Sequence, residues 1–398
     1  MHPILKFFSS LRLTVVLLSL SLVLIFFGTL DQVEFGIWET QKRYFESFLV
    51  VWSYPLSAPA GDALQWIKLP MPGGYLIGGM LLINLLAAHA TRFKLTWKKS
   101  GLFCIHIGLI LLLISELLTD IVSVESQMSV DEGSKSNYSE TILDNEFVLI
   151  DRSNPQLDRV HAIPSSLLKK GKRIKIPDTE LSLKTLDYFP NASLNRAPQD
   201  APDTSPKKPQ IANKGLVERI DLQVTPLAPQ YAEDAINTAT AYIQIIDKNE
   251  KALGTWLVSN VIDERFPPQI LAAGNKSYEI ALRFKRYYHP FQIELIDFKH
   301  DKYPGTEIPF NFSSEVYIKD PKGAVKQKAL IYMNHPLRYG GLTFYQASFA
   351  NNDQTSIFQV VKNPGWLLPY ISVLLMGLGM CFQFGMHFIK FLQKSRTR

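Results

Sequence analysis

The sequence contains little cysteine, with only Cys104 and Cys381 among its 398 residues. Both lie in long apolar runs, so the polar part of the chain has none. That part therefore forms no structural disulfide and cannot itself oxidise or reduce thiols. The pattern Cys-x-x-Cys-His is also absent, so the chain does not attach a c-type heme to itself in the usual way.

The motifs of common soluble enzymes are missing too. The sequence has no Walker A motif, no G-x-S-x-G and no H-E-x-x-H, so nothing predicts hydrolysis or nucleotide use. The net charge of +6 is also uninformative about nucleic acid, because ten of the 42 Lys and Arg residues lie beside the apolar runs. The rest of the chain is slightly acidic, so we expect no nucleic-acid partner.

Four long apolar runs are present, at residues 13–30, 73–90, 101–118 and 366–389. A helix of about 18 residues covers roughly 27 Å, close to the thickness of the hydrocarbon core of a membrane. The sequence therefore predicts four transmembrane helices. No small-residue cleavage site follows the first run, which favours an uncleaved anchor over a signal peptide.

Basic residues orient these spans. The short segments before the first span, between the second and third, and after the fourth contain no acidic residue, but they contain Lys6, Arg12, Arg92, Lys94, Lys98, Lys99, Lys390, Lys394, Arg396 and Arg398. The positive-inside rule puts these segments in the cytoplasm. We therefore predict a multi-pass protein of the cytoplasmic (inner) membrane whose large domain faces the extracytoplasmic, periplasmic side.

The predicted division of the chain follows from the spans. Residues 1–30 form the cytoplasmic N-terminus and first span, 31–72 an outer loop, 73–119 the second and third spans with a basic loop, and 364–398 the fourth span with a basic tail. In the outer loop Trp38, Phe45, Leu49 and Trp52 share one helical face. This pattern predicts an amphipathic helix at the membrane surface; the alternative is a surface segment of the globular domain.

Between the third and fourth spans, residues 120–363 alternate apolar and polar side chains in short runs rich in Val, Ile, Tyr, Phe and Thr. Period two predicts strands. The predicted fold is a membrane protein with four transmembrane α-helices, three N-terminal and one C-terminal, and a large all-β extracytoplasmic domain resembling a sandwich or barrel. Residues 190–215 lack enough apolar residues to pack, so we expect a flexible insertion there.

Polar residues inside the predicted spans need an explanation. His89, His106 and His387 all fall in the cytoplasmic half of the membrane, where an imidazole needs a partner. A neutral imidazole is a good axial ligand for heme iron, so two on facing helices could hold a heme. Alternatively, His89 and His387 reach the interface and His106 bonds between helices. Glu116 is interfacial or contacts a partner.

Gly101 and Gly108 flank His106 in its span. Glycine leaves space above the helix backbone, so the pair could admit either a neighbouring helix or a flat ligand.

Several segments resemble the ResB/CcsB family of System II cytochrome c biogenesis proteins, and the resemblance covers nearly the whole chain. The segments are MNHPLRYGGLTFYQASF at residues 333–349, YPGT at 303–306, VVKNPG at 360–365, SSLRLT at 9–14 and FCIHIG at 103–108. The last looks like the family's transmembrane histidine motif. The order of three spans, a large outer domain and one span is also that of the family.

The resemblance implies a partner of the CcsA type, a membrane protein with a tryptophan-rich heme-handling motif that this chain lacks. Together the two would export heme and attach it to the CxxCH sites of apocytochrome c, as a holocytochrome c synthase in which this chain is not catalytic alone. His106 would be an axial ligand of heme b shared with CcsA, and His387 is a second candidate by location. Because no cysteine lies outside the spans, a separate thiol reductant is needed.

The motif at residues 334–346 has two interpretations. Asn334, Pro336 and the Gly340-Gly341 pair are turn residues, which favours structural support of the β domain. The alternative is contact with apocytochrome c or the partner through His335, Arg338 and Tyr339.

Two further interpretations of the whole chain remain open. One is a non-heme membrane scaffold that stabilises CcsA and presents apocytochrome c. The other is an unrelated envelope protein with a β domain.

Overall fold

The computed structural model describes residues 3–54, 61–64, 66–92, 96–154, 157–196, 211–230, 236–274, 276–306 and 309–396. Contacts divide the chain into two compact units. The helical unit contains Met1–Val124 and Lys362–Arg398, and the β unit contains Glu125–Gln230 and Ile236–Val361. Each unit has its own buried core and is described by itself.

The helices of the described residues are, in chain order, α1 (Pro3–Phe8), α2 (Leu11–Thr40), α3 (Gly61–Leu64), α4 (Gly74–Arg92), α5 (Ser100–Val122), α6 (Asn260–Arg265) and α7 (Leu368–Arg396). A π-helical turn, Gln41–Phe45, follows α2, and a 3-10 turn, Trp97–Lys99, precedes α5. Two more 3-10 turns among the described residues lie at Ser165–Leu167 and Gly215–Glu218.

The strands of the described residues are β1 (Leu49–Ser53), β2 (Lys68–Pro72), β3 (Val124–Asp131), β4 (Lys135–Asp151), β5 (Arg159–Pro164), β6 (Arg173–Lys175), β7 (Ser182–Phe189), β8 (Ala192–Arg196), β9 (Leu222–Pro226), β10 (Thr240–Ile246), β11 (Ala252–Ser259), β12 (Gln269–Ala273), β13 (Lys276–Lys302), β14 (Pro309–Lys319), β15 (Val325–Tyr332), β16 (Leu337–Tyr339), β17 (Leu342–Ala350) and β18 (Thr355–Lys362).

Four helical segments are long and apolar enough to cross a membrane: Leu11–Phe45, Gly74–Thr91, Trp97–Val122 and Leu368–Ser395. They coincide with the four predicted spans, and the large β-rich region lies between the third and fourth in the chain. Helices suit these runs because a membrane has no water to satisfy exposed backbone groups, and a helix satisfies its own.

The first helical segment continues beyond the predicted span, with a kink at Gly36, whose φ is +73°. The residues expected to share one amphipathic helix are divided, because only Trp38 and Phe45 lie in helical turns. Leu49 and Trp52 lie instead in β1, which pairs antiparallel with β2. Asp31 of α2 is only 2% exposed and accepts hydrogen bonds from Tyr44 Oη at 2.6 Å and Trp52 Nε1 at 3.0 Å. After the chain changes direction at Gly36, these two bonds hold the segment against α2.

The β unit contains two hydrophobic cores that share its longest strands. A ten-stranded antiparallel sheet runs in the order β15-β14-β13-β4-β3-β18-β17-β16, with β5 on β4 and β12 on β13. The second half of β13 packs with Phe344 and Phe358 in one core. The first half packs against a four-stranded sheet, β11-β10-β7-β6, around Phe147, Leu183 and Ile243.

The pairing of β13 with β4 contains a large bulge. Phe284 lies opposite Asn145, but Arg286 lies opposite Glu140, so one residue of β13 and four residues of β4 lie between these two pairs and the bulge is in β4. Side chains alternate between the two faces of a strand, and a bulge changes which residues share a face. Residues on the two sides of this bulge therefore depart from simple period-two alternation.

The insertion expected at residues 190–215 is structured at both ends. Ala192–Arg196 forms β8 and pairs with β9, and Ala212 is only 3% exposed, in a small core with Val217 and Leu257. The prediction treated the segment as one polar excursion, although its few apolar residues lie at its ends and do pack. Residues 197–210 lie outside the described part of the chain.

Candidate functional site

His106 lies on α5, one and a half turns from its start, and faces a second histidine. Its imidazole ring is 4.9 Å from that of His89 on α4, measured between centroids, and the planes cross at 78°. The Nδ1 atom of His89 lies 3.0 Å from the carbonyl oxygen of Leu85, and its ring is 6.3 Å from that of Phe103. Two of the three predicted intramembrane histidines therefore lie together, both half-buried.

The two glycines near His106, Gly101 and Gly108, pack against α7 and not against α4, the helix that carries His89. A Cβ atom at Gly101 would lie 2.7 Å from the carbonyl oxygen of Gly379, and one at Gly108 would lie 2.8 Å from that of Ser372. Both glycines are buried against α7. They allow α5 and α7 to approach backbone to backbone, which was one of the two roles considered from the sequence. The face of α5 that carries His106 is a different one.

His387 lies far from this pair. The glycine contacts show that α5 and α7 run antiparallel, with Gly101 opposite Gly379. Starting from the contact between Gly101 and Gly379, His106 lies five residues along α5 and His387 lies eight residues along α7. Because the two helices run in opposite directions, these distances add to roughly 20 Å along the helix axes. His387 is exposed, with its Nε2 atom 3.1 Å from Nε2 of Gln383. The two histidines cannot hold one iron atom.

The donor set around His106 fits one axial ligand of a heme. An iron atom between two imidazoles needs a nitrogen of each ring aimed at it from opposite sides. The edge-to-face arrangement of His89 and His106 leaves no room for a metal between them. A half-buried imidazole on an apolar helix can still bind heme iron on one side, with His89 and Phe103 beside it, and a second ligand would come from outside this chain.

The motif at residues 333–349 forms two tight turns of the β unit. Asn334 has φ +61° and lies in the turn between β15 and β16, where the ring of His335 stacks on that of Tyr332 at 4.6 Å. Gly340 and Gly341, with φ +60° and +78°, make the two-residue turn between β16 and β17. Positive φ at both positions is the reason for a Gly-Gly pair there.

The three candidate contact residues of this motif fall into two groups. His335 and Arg338 are exposed on the surface of the β unit. Tyr339 is half-buried and packs edge-to-face on Phe291 at 4.9 Å. Gln346, in the same motif, belongs to the interior of the sheet, because it accepts a hydrogen bond from Ser314 Oγ at 2.6 Å and donates one to Ser356 Oγ at 3.0 Å. Structural support therefore accounts for Tyr339 and Gln346.

One intramembrane polar residue was missed from the sequence. Asn84 of α4 is 3% exposed and donates from Nδ2 to the carbonyl oxygens of Phe8 at 2.6 Å and Ser10 at 3.1 Å. Its Oδ1 atom accepts from Thr14 Oγ1 at 2.7 Å. Asn84 thus satisfies the backbone at the break between α1 and α2, where the SSLRLT segment lies. An asparagine inside an apolar run was the available signal.

The acidic residues near the end of α5 differ in environment. Glu116 is exposed on α5. Asp120, one turn further along, accepts a hydrogen bond from the hydroxyl of Tyr75 at the start of α4. Asp120, rather than Glu116, therefore links the ends of the two helices.

Comparison with known proteins bears on the family resemblance. Residues 263–357 match the model of the ResB-like family. The chain is also 24% identical over 308 residues to Protein NrfI of Wolinella succinogenes, and the alignment covers 76% of this chain and 29% of that protein. The chain therefore spans less than a third of the length of this relative. The resemblance of this chain to the ResB family is confirmed.

Proposed function

We propose that this chain is a subunit of a System II cytochrome c synthase. It works with a CcsA-type membrane protein to carry heme b out of the cytoplasm and join it to the CxxCH sites of apocytochrome c. The ResB-like match and the four apolar helices support a role in cytochrome c maturation. The observation that carries the heme-binding part is the position of His106 beside His89 within the apolar helices.

In this proposal heme is the cargo, and its iron binds a nitrogen of His106. His89 lies against the ring of His106 and limits its rotation, while the contact of Gly101 and Gly108 with α7 fixes the position of α5. The second axial ligand comes from the partner. His387, level with neither histidine, takes no part in binding this iron.

The β unit contributes no thiol–disulfide chemistry of its own. The two cysteines of the chain lie in α5 and α7, so the client's cysteines are kept reduced by a separate thiol reductant. The positive-inside rule puts the β unit outside the cytoplasm, where the apocytochrome is delivered. Its role is to hold the client while the partner subunit supplies the tryptophan-rich heme site.

The experiment is the visible spectrum of this chain co-purified with its CcsA-type partner. His106→Ala should remove or shift the Soret band, and His387→Ala, on the other side of the Gly101–Gly379 contact, is the matched control that should leave it unchanged. An unchanged Soret band in the His106→Ala complex would falsify the ligand assignment. The chain would then act as a non-heme scaffold that stabilises CcsA and presents apocytochrome c.

A further inference from the structure

The β unit contains a cleft of about 780 Å³ that takes no part in the heme binding proposed above. It lies on the face of β4 and β13 opposite the core, because its lining residues alternate with the buried Ile280 and Leu282. The lining holds three arginines and three acidic residues, so the cleft carries side chains of both signs in equal number.

The bulge between β13 and β4 builds the centre of this cleft. Residues 283 and 286 of a regular strand would point to opposite faces, but the pairing is irregular between Phe284 and Arg286, and both Arg283 and Arg286 line the cleft. Each pairs with a glutamate of β4: Arg283 with Glu146 at 3.1 Å and Arg286 with Glu140 at 2.6 Å.

A third pair continues the row. Arg152 Nη2 lies 2.8 Å from Glu279 Oε2, toward the start of β13. The depth of the three pairs differs: the side chains of Arg283 and Glu146 are 13% and 8% exposed, whereas Arg152 is 58% exposed. The cleft therefore presents paired charges at successive positions along one strand, buried at its centre and open at its end.

Aromatic rings hold the arginines in place. The guanidinium carbon of Arg286 lies 4.1 Å from the ring centroid of Tyr138. The ring of Tyr138 is in turn 5.9 Å from that of Tyr288, whose hydroxyl accepts a hydrogen bond from Arg283 at 3.3 Å. A guanidinium fixed by stacking and by a carboxylate keeps further N–H groups available to a ligand, because it has five.

A buried acceptor in the same cleft has no partner among the described residues. Asn260, the first residue of α6, is only 6% exposed and lines the cleft. Its Nδ2 atom donates to Asn145 Oδ1 at 3.2 Å and to the carbonyl oxygen of Asn237 at 3.0 Å, but its Oδ1 atom is buried without a hydrogen bond. Leaving a buried acceptor unsatisfied is unfavourable, so a ligand that brings an N–H donor to this atom is favoured.

We propose that this cleft binds an extended polypeptide segment, and this inference rests on the proposed function, in which the client is an apocytochrome not yet folded around heme. From Glu279 to Tyr288 the strand covers roughly 30 Å, the length of about nine extended residues. A backbone N–H of the segment bonds to Asn260 Oδ1, and its acidic and basic side chains meet the paired arginines and glutamates. The balanced charge of the lining disfavours a polyanion.

The test measures peptide affinity by fluorescence anisotropy with the full chain in detergent. The probe is a labelled, unstructured peptide with Ser-x-x-Ser-His at its centre and both Lys and Glu in its flanks, so that no thiol chemistry interferes. Ala281→Trp fills the cleft, and Ala252→Trp, at an exposed position of β11, is the matched control. We expect Ala281→Trp to weaken binding at least about tenfold, the equivalent of 1.4 kcal/mol, and Ala252→Trp to leave it unchanged.

Two results overturn the inference: no binding of the peptide to the unaltered chain, or equal affinity of the Ala281→Trp chain and the control. If Ala281→Trp does not fold, as judged by circular dichroism, Tyr288→Ala replaces it, since Tyr288 is 52% exposed. Its loss removes one wall of the cleft and should weaken binding several-fold. The Soret band of the co-purified complex reports on His106 alone, so the cleft can fail this test while the proposed heme function stands.

Discussion

The imidazole rings of His89 and His106 meet edge to face, 4.9 Å apart, on two neighbouring apolar helices. The two residues are 17 positions apart in the chain, with a basic segment between their helices. Because the two rings are in contact, no metal lies between them. In the proposed function His106 is therefore the heme ligand, and His89 is a residue that packs against it. The two histidines therefore have unequal roles, which single substitutions can separate.

Replacing His89 should weaken heme binding without abolishing it. His89→Ala removes the ring that packs on His106 but leaves the ligand nitrogen, so heme affinity should fall by less than in His106→Ala. Heme titration of the complex, followed by the Soret band, measures this. We expect the unaltered chain to bind heme most tightly, the His89→Ala variant less tightly, and the His106→Ala variant least. Equal loss in both variants would contradict the assignment.

The close packing of α5 against α7 should be disrupted by any side chain at position 379, which is a glycine. A Cβ atom there would lie 2.7 Å from the carbonyl oxygen of Gly101 and 2.9 Å from the backbone nitrogen of Ile105. We expect Gly379→Ala to cost about 1–3 kcal/mol, because the helices must separate. Gly377→Ala, two residues away with nothing within 4 Å, is the control. Thermal unfolding in detergent should distinguish them; equal melting temperatures would disprove the close contact.

Asn84 should stabilise the break between α1 and α2. Asn84→Leu removes its bonds to Phe8, Ser10 and Thr14, although the Ser10 carbonyl still accepts from the backbone N–H of Thr14. Hydrogen bonds inside membrane proteins contribute about 0.5–2 kcal/mol, and we expect a loss in that range. Ser19→Ala, at an exposed position of α2 with a bond only to its own helix, should change stability little. Denaturant titration of both variants in detergent measures the difference.

The two glycines of the β16–β17 turn should differ in their sensitivity to alanine. Gly341 has φ +78° and open space around it, so Gly341→Ala costs only the backbone strain, about 1–2 kcal/mol. A Cβ atom at Gly340 would also lie 2.8 Å from Phe291 Cε1, so Gly340→Ala should cost more. Urea unfolding followed by circular dichroism tests this order, and the reverse order would contradict the turn geometry.

Arg338 tests the other interpretation of the same motif. It is exposed, so Arg338→Ala should leave the free energy of unfolding within about 0.5 kcal/mol. If the motif also contacts the client or the partner subunit, the same variant should reduce co-purification of that protein. Unchanged stability together with unchanged co-purification would limit the motif to structural support.

Stability of the β unit should rise with pH through the titration of His289. Burial lowers the pKa of His289 below its ordinary value of about 6.5. As pH falls from neutral, the unfolded chain therefore takes up this proton first, and protonation favours unfolding. His289 lies 3.0 Å from Ser139 Oγ, a contact that glutamine can replace. The urea midpoint of His289→Gln should depend less on pH between about 5 and 7 than that of the unaltered chain; identical slopes would contradict this.

Much of the architecture follows from local patterns. Runs of 18 or more apolar residues form helices in a membrane because a helix satisfies the hydrogen bonds of its backbone within the segment. Alternation with β-branched and aromatic residues similarly predicts the strands of the β unit. These patterns missed the end of α2, since Asp31 became acceptable in that helix only after Tyr44 and Trp52 supplied its hydrogen bonds.

Local patterns in the sequence predict four apolar helices, a β-rich region between the last two, and histidines at membrane depth. Which histidine accompanies His106 depends on tertiary packing, because contacts such as that of Gly101 with Gly379 set the rotation and register of packed helices. Tertiary packing also brings Arg283 and Arg286 into one cleft, because a bulge in the pairing of β13 with β4 depends on both strands. Periodicity describes one segment at a time, whereas both arrangements arise between segments.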